Sequence, residues 1–274
     1  MISALDIYLF DLRGYLILED AIANDHVKEL NAILDNMENL KPGEWYGYVQ
    51  GHIFLTAKEG LNLQQIYEGG EPFERLIDNP SWIDHVMTFV GGQNSFDSHH
   101  GTLFIDENFA NIRGPGESIG LHGSPVPWSK RGQFHVQNQE FNCGQLNILM
   151  ALTDIGPDDG PTMVIPGSHK SNFLNPELSS SHIKARGGAV DGATGAIEVH
   201  MKAGDALLFV DTISHGSKRI TTGKRRTIVY RYGPSWGFFR HGYRPSKGLL
   251  DRLTPDRRKI VWPHHKTENS PYLI

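Results

Sequence analysis

The chain has 274 residues, 39% of them hydrophobic and 21% charged, with a net charge of −5. That size supports one large core with appendages, and the balance is that of an ordinary globular protein rather than a disordered chain or one with a membrane-spanning run. Scattered Lys and Arg give no basic stripe for phosphate backbones, and the single cysteine, Cys143, excludes a disulfide framework and a cysteine-based zinc site, so a small-molecule substrate is expected without nucleic acid or membrane.

The N-terminus has no basic region followed by an apolar stretch, which makes the cytoplasm the expected location. Leu5, Tyr8, Leu9 and Leu12 recur at helical spacing, and residues 14–18 then read as a short buried strand. Asn24 is placed to cap a second helix with Val27, Leu30, Ile33, Leu34 and Met37 on one face. Residues 80–90 repeat the helical signal, with Trp82, Ile83, Val86, Met87 and Val90 ahead of a Gly91-Gly92 stop. Helices are therefore expected to fill much of the N-terminal third, up to about residue 95.

From about Thr102 the character changes to short apolar or alternating runs separated by Gly, Pro, Asn and Asp clusters, the spacing of an all-β barrel or sandwich. Expected strands cover 102–105, 145–152, 162–165, 197–200, 206–210 and 227–232, and Cys143 reads as a small buried residue entering a strand. Residues 175–195, rich in Ser, Gly and Ala, read as a long loop over the barrel mouth. A tail from 236 to 274 carries one short helix, capped by Thr254 with Pro255 at its first position. The whole chain, 1–274, reads as one domain with a β core over about 100–235.

Fourteen histidines are many for this length, and position has to separate them. His215 follows a Gly204-Asp205 turn and an apolar strand, so a barrel strand would deliver its imidazole to the mouth; taken alone, such a histidine is more often a satisfied core or surface residue. Arg225 and Arg226 open the strand after the next polar hairpin, and an arginine there is placed to clamp a carboxylate in bidentate fashion. A solvated basic hairpin is the ordinary explanation for one of the two, since neighbouring side chains on a strand point to opposite faces.

The segment Ala151-Leu152-Thr153-Asp154, followed by Pro166-Gly167-Ser168-His169-Lys170, the Gly204-Asp205 strand, His215-Gly216-Ser217 and Arg225-Arg226, resembles the phytanoyl-CoA dioxygenase family over roughly residues 5–260. The resemblance implies a mainly β fold with N-terminal helices, a double-stranded β-helix of the jelly-roll, cupin-like kind. It also implies Fe(II), with 2-oxoglutarate as co-substrate and O2 as oxidant, and oxidation of a C–H bond in a small molecule. Two histidines and one carboxylate on one face of such a metal leave positions open for these co-reactants. Carried over residue by residue, His122 and His215 are the histidine ligands, and Arg225 is the preferred clamp for the distal carboxylate of 2-oxoglutarate. Arg226 is the alternative if residues are counted from the histidine, and Ser217 adds a hydroxyl to the same carboxylate.

Family members carry His-x-Asp at the first ligand; here Leu121-His122-Gly123-Ser124 puts a serine at the acid's place. Three outcomes stay open. Another carboxylate, from Asp106, Glu140 or Asp211, completes the site; a halide or water fills it, as the resemblance to 2-oxoglutarate halogenases implies; or metal binds weakly and the chain is a noncatalytic small-molecule binding protein. His135 is the alternative to His122, His169 suits a structural hydrogen bond in its turn, and the adjacent pairs His99-His100 and His264-His265 cannot both face one way on a strand. Trp45, Tyr46, Tyr48, Phe54 and Trp128 fall in segments expected to rim the mouth, where packing under loops is the commoner role.

Overall fold

Ser3 opens helix α1 (Ala4–Arg13) with a capping box: its hydroxyl accepts from the Asp6 amide, and the Asp6 carboxylate accepts from the Ser3 amide. Gly14 closes the helix at φ +82°, and the chain turns straight into β1 (Tyr15–Leu18). Helix α2 (Asn24–Asp35) buries Val27, Leu30 and Leu34 as its spacing predicts, but its cap is Ala23 with no side-chain bond. Asn24 is already helical because the carbonyl of Ala23 accepts from the Val27 amide, so the expected asparagine cap lies one position too late. This computed structural model describes residues 2–52, 60–92, 101–176, 192–237 and 244–263.

The N-terminal third holds more strand than its helical patterning announced. Strands β2 (Trp45–Tyr46), β3 (Val49–Gly51) and β4 (Leu61–Gln64) precede helices α3 (Glu71–Glu74) and α4 (Ile83–Val90). They are too short for periodicity to register. The core continues with β5 (Leu103–Arg113), β6 (Ile119–His122), β7 (Phe134–Gln137), β8 (Glu140–Cys143), β9 (Leu146–Ala151) and β10 (Thr162–Val164). It ends with β11 (Ile197–Val199), β12 (Ala206–Val210), β13 (His215–Ser217) and β14 (Arg225–Pro234). Two short helices follow, Lys247–Arg252 and Pro255–Val261, the second capped by Thr254 as expected.

Eight strands form one antiparallel sheet in the order β1-β12-β9-β14-β5-β4-β3-β2, and four form a second, β11-β10-β13-β6. The two sheets make the jelly roll. The outer face of the large sheet is covered by helices: Tyr230 donates to the carbonyl of Phe73, Tyr232 to that of Ile77, and Trp82 to the Tyr232 hydroxyl. One continuous core joins Phe10 of α1, Leu30 and Leu34 of α2, Phe89 of α4 and Val261 of the last helix. The residues of β14 that alternate with Tyr230 and Tyr232 point the other way, into the barrel. No helix among the described residues is long and apolar enough to cross a membrane.

Candidate metal and co-substrate centre

Strands β6 and β13 pair antiparallel with His122 directly opposite His215, so the two imidazoles share a face, and their ring centroids lie 4.1 Å apart. His215 therefore begins a short strand of the small sheet rather than trailing the end of β12. Gly123 lets the pair form. Its φ is +86°, and a Cβ there would sit 2.4 Å from the carbonyl oxygen of Ile213, so no other residue lets the end of β6 close onto the loop before His215. The Ser214 hydroxyl, donating to the Gly123 carbonyl, fastens the same junction.

Each imidazole is oriented by the backbone. Nδ1 of His215 donates to the carbonyl of Ile213 (2.7 Å) and Nδ1 of His122 to that of Gly120 (3.0 Å). Because a carbonyl can only accept, Nε2 of both rings is left with its lone pair, the tautomer a metal requires. Burial and then the neighbouring His122 hold the His215 pKa well below its ordinary value, so the ring is neutral. His122 is exposed toward the mouth, while the Phe209 ring packs edge-on against His215 at 4.8 Å. A divalent metal fits this donor pair.

The acid that usually accompanies such a pair is not supplied by the expected candidates. The Ser124 hydroxyl accepts from the Val126 amide and serves a turn. Asp106 accepts from Gln145, Asp211 accepts from Asn147 and faces Arg131, and Glu140 is exposed on the separate β7–β8 hairpin. Among the described residues no group of three or more His, Cys, Asp or Glu is placed to hold a metal ion.

Two residues along β13 lies Ser217, where two buried guanidinium groups converge. Arg225 Nη1 donates to Ser217 Oγ (2.9 Å) and its Nη2 to Thr162 Oγ1 (3.1 Å); Arg113, directly opposite Arg225 on β5, donates to the same Ser217 oxygen (2.7 Å). Arg225 has no carboxylate partner among the described residues, and its buried Nε has no hydrogen-bond partner. Burial and the adjacent Arg113 push its pKa down to about 9, which still leaves it charged at neutral pH. Buried charge without a counter-ion calls for an anion. Arg226 turns outward instead, bonding Asn31 and Asp35 of α2 and Glu38 just beyond it, so it is not part of this centre.

The phytanoyl-CoA dioxygenase family profile matches residues 10–228. The chain belongs to the phytanoyl-CoA dioxygenase family. The members of this family are iron- and 2-oxoglutarate-dependent dioxygenases. It is 30% identical over 238 residues to "Dioxygenase cdmD" of Talaromyces verruculosus, covering 81% of this chain and 69% of that one. It is 24% identical over 233 residues to the "Ectoine dioxygenase" of Sphingopyxis alaskensis, covering 79% and 70%. In fold it is similar to HygX of Streptomyces hygroscopicus, solved with nickel and 2-oxoglutarate bound: TM-score 0.70, 21% identity, 91% of this chain and 94% of that one. HygX has also been solved with hygromycin B alongside both.

Within this dioxygenase-family chain the remaining histidines fall away from the pair. His135 is exposed on the β7–β8 hairpin, opposite Asn142. His169 is buried, donates from Nε2 to the carbonyl of Asp11, and packs edge-on against Phe134 at 4.4 Å. His99, His100, His264, His265, Phe54 and most of the expected mouth loop, residues 177–191, lie outside the described residues. Trp45, Tyr46, Tyr48 and Trp128 are exposed. Sequence reasoning missed Arg113, which ends a strand that runs eight residues past the expected end at residue 105.

Proposed function

We propose that the chain is an Fe(II)/2-oxoglutarate-dependent oxygenase that oxidises a C–H bond of a small molecule, with iron held by His122 and His215. One observation carries this reading: two imidazoles pinned through Nδ1 to backbone carbonyls stand two residues along a strand from Ser217, the serine that accepts from the buried Arg225, and Arg225 has no carboxylate partner among the described residues. When bound, iron with 2-oxoglutarate and O2 supplies the oxidising power for C–H cleavage, 2-oxoglutarate leaving as succinate and CO2. Arg225 binds the distal carboxylate and fixes the co-substrate's direction, with Ser217 and Arg113 setting the guanidinium plane. Phe209 keeps water from the buried side of His215. HygX, with nickel and 2-oxoglutarate bound in a similar fold, supports the reading.

The experiment is succinate formation from 2-oxoglutarate by anaerobically Fe(II)-loaded protein on exposure to O2, beside metal analysis of the same sample. Turnover and stoichiometric iron in the parent, both lost in His122→Ala and in His215→Ala, are expected. Stoichiometric iron in either variant would overturn the ligand assignment. The serine at the acid's place favours a second reading, halide binding and halogenation, for which a chloride-dependent chlorinated product is the deciding observation.

A further inference from the structure

The inner face of the large sheet can be read row by row from its register. Tyr15, Phe209, Asn147, Arg231 and Glu107 stand opposite one another across β1, β12, β9, β14 and β5, and directly opposed residues point to the same face. Phe209 of this row packs on His215, so the row faces the histidine pair. It lies three rows from Arg225 and Arg113, about 20 Å along the strands at the usual rise. The co-substrate anchor and this row are thus separate regions of the sheet's inner face.

The row is polar where a chamber for a hydrocarbon chain would be apolar. Arg231 Nη1 donates to Glu107 at 2.9 Å, and Gln64, one row further along on β4, approaches the same carboxylate at 3.4 Å. Asn147, 1% exposed, donates through Nδ2 to Asp211, which also faces Arg131. Two atoms are left over: Arg231 Nε and Asn147 Oδ1 are buried without a hydrogen-bond partner. They stand on directly opposed residues, one a donor and the other an acceptor. As a rule buried polar groups find a partner, and a buried ion pair adds little to stability over apolar packing, so two orphaned atoms on directly opposed residues of this row are better explained by recognition than by folding.

We infer that Glu107, Asn147 and Arg231 form the substrate-recognition row, and that the substrate is a small, strongly polar molecule presenting both a hydrogen-bond donor and an acceptor, not an acyl or hydrocarbon chain. This inference rests on the oxygenase reading above. A hydroxyl or an amide of the substrate satisfies both orphaned atoms at once, donating to Asn147 Oδ1 and accepting from Arg231 Nε. The neutral Glu107–Arg231 pair recognises zwitterionic or polyhydroxylated molecules without demanding net charge.

The test uses the full chain and two probe sets. L-proline, D-glucosamine and myo-inositol are polar; octanoate and dodecanoate are apolar. Succinate release by the Fe(II)-loaded protein, and the thermal shift of the Ni(II)–2-oxoglutarate complex, are measured with each probe. At least one polar probe is expected to raise both, and Asn147→Leu and Arg231→Met are each expected to weaken that response by about tenfold or more, the loss of a buried hydrogen bond to a charged or desolvated group. The thermal shift caused by 2-oxoglutarate itself should persist in both variants, which reports that they fold and keep the co-substrate end. Response to the apolar set alone, to neither set, or undiminished in both variants would overturn the inference. A parent protein that shows no 2-oxoglutarate-dependent shift and releases no succinate would overturn the oxygenase reading, and this inference with it.

Discussion

Arg225 and Arg226 are neighbours in sequence and opposites in environment. Arg225 is buried against Ser217, Thr162 and Arg113, whereas Arg226 reaches out to Asn31, Asp35 and Glu38. Arg225→Met is expected to weaken 2-oxoglutarate binding by about tenfold or more while leaving the ligand-free unfolding midpoint unchanged or higher, because it removes an uncompensated buried charge. Arg226→Met should do the reverse, leaving 2-oxoglutarate affinity intact and costing about 1–2 kcal/mol in urea unfolding. Titration calorimetry with the Ni(II) protein and denaturation curves read the two effects separately. At the third ligand position, Ser124→Asp supplies the acid that the described residues lack and is expected to tighten divalent metal binding. An unchanged metal affinity would mean that position 124 does not face the metal. The sequence made both arginines visible but could not say which faced inward, because alternation fixes only that they differ.

At the scale of elements, the Pro166–Lys170 turn is joined to helix α1 through His169. Its ring bonds the carbonyl of Asp11 and fills the space beside Gly14, where a Cβ would lie 2.4 Å from Nδ1. The buried Nδ1 has no hydrogen-bond partner, and burial pushes the His169 pKa down to about 4. The folded state therefore holds this ring neutral, while the unfolded chain protonates near 6.5. As pH falls from about 6.5 toward 4, His169 should remove native stability at up to about 1.4 kcal/mol per pH unit, with the effect absent above pH 7. His169→Gln keeps a donor for Asp11 without titrating, so its urea-unfolding free energy should fall less steeply over that window than the parent's. Parallel pH profiles would show that His169 is not the titrating group. The turn's structural role was legible in the sequence, whereas its partner, 158 residues away, was not.

For the whole molecule, the helices seal the outer face of the large sheet and leave its inner face free for chemistry. Leu30 and Leu34 of α2 are both fully buried in the one core that also holds Phe10 and Val261. Leu30→Ala is expected to cost about 2–5 kcal/mol, seen as a lower urea midpoint with an unchanged slope. If the helices were loosely attached, the loss would instead be small and the transition would lose cooperativity. The sequence by itself determined the buried face of α2, most of the β core, the Pro-Gly-Ser-His-Lys turn and the family, because these rest on local periodicity, turn chemistry and contiguous motifs; on α1, by contrast, the spaced Leu5, Tyr8 and Leu12 are exposed and Phe10 is the buried residue. Strands β2–β4, the register that sets His122 against His215, the inward choice of Arg225, the arrival of Arg113 and the row of Glu107, Asn147 and Arg231 were decided only by tertiary structure. Each of these depends on which strands lie side by side, and pairing brings together residues up to 124 positions apart whose proximity leaves no local trace.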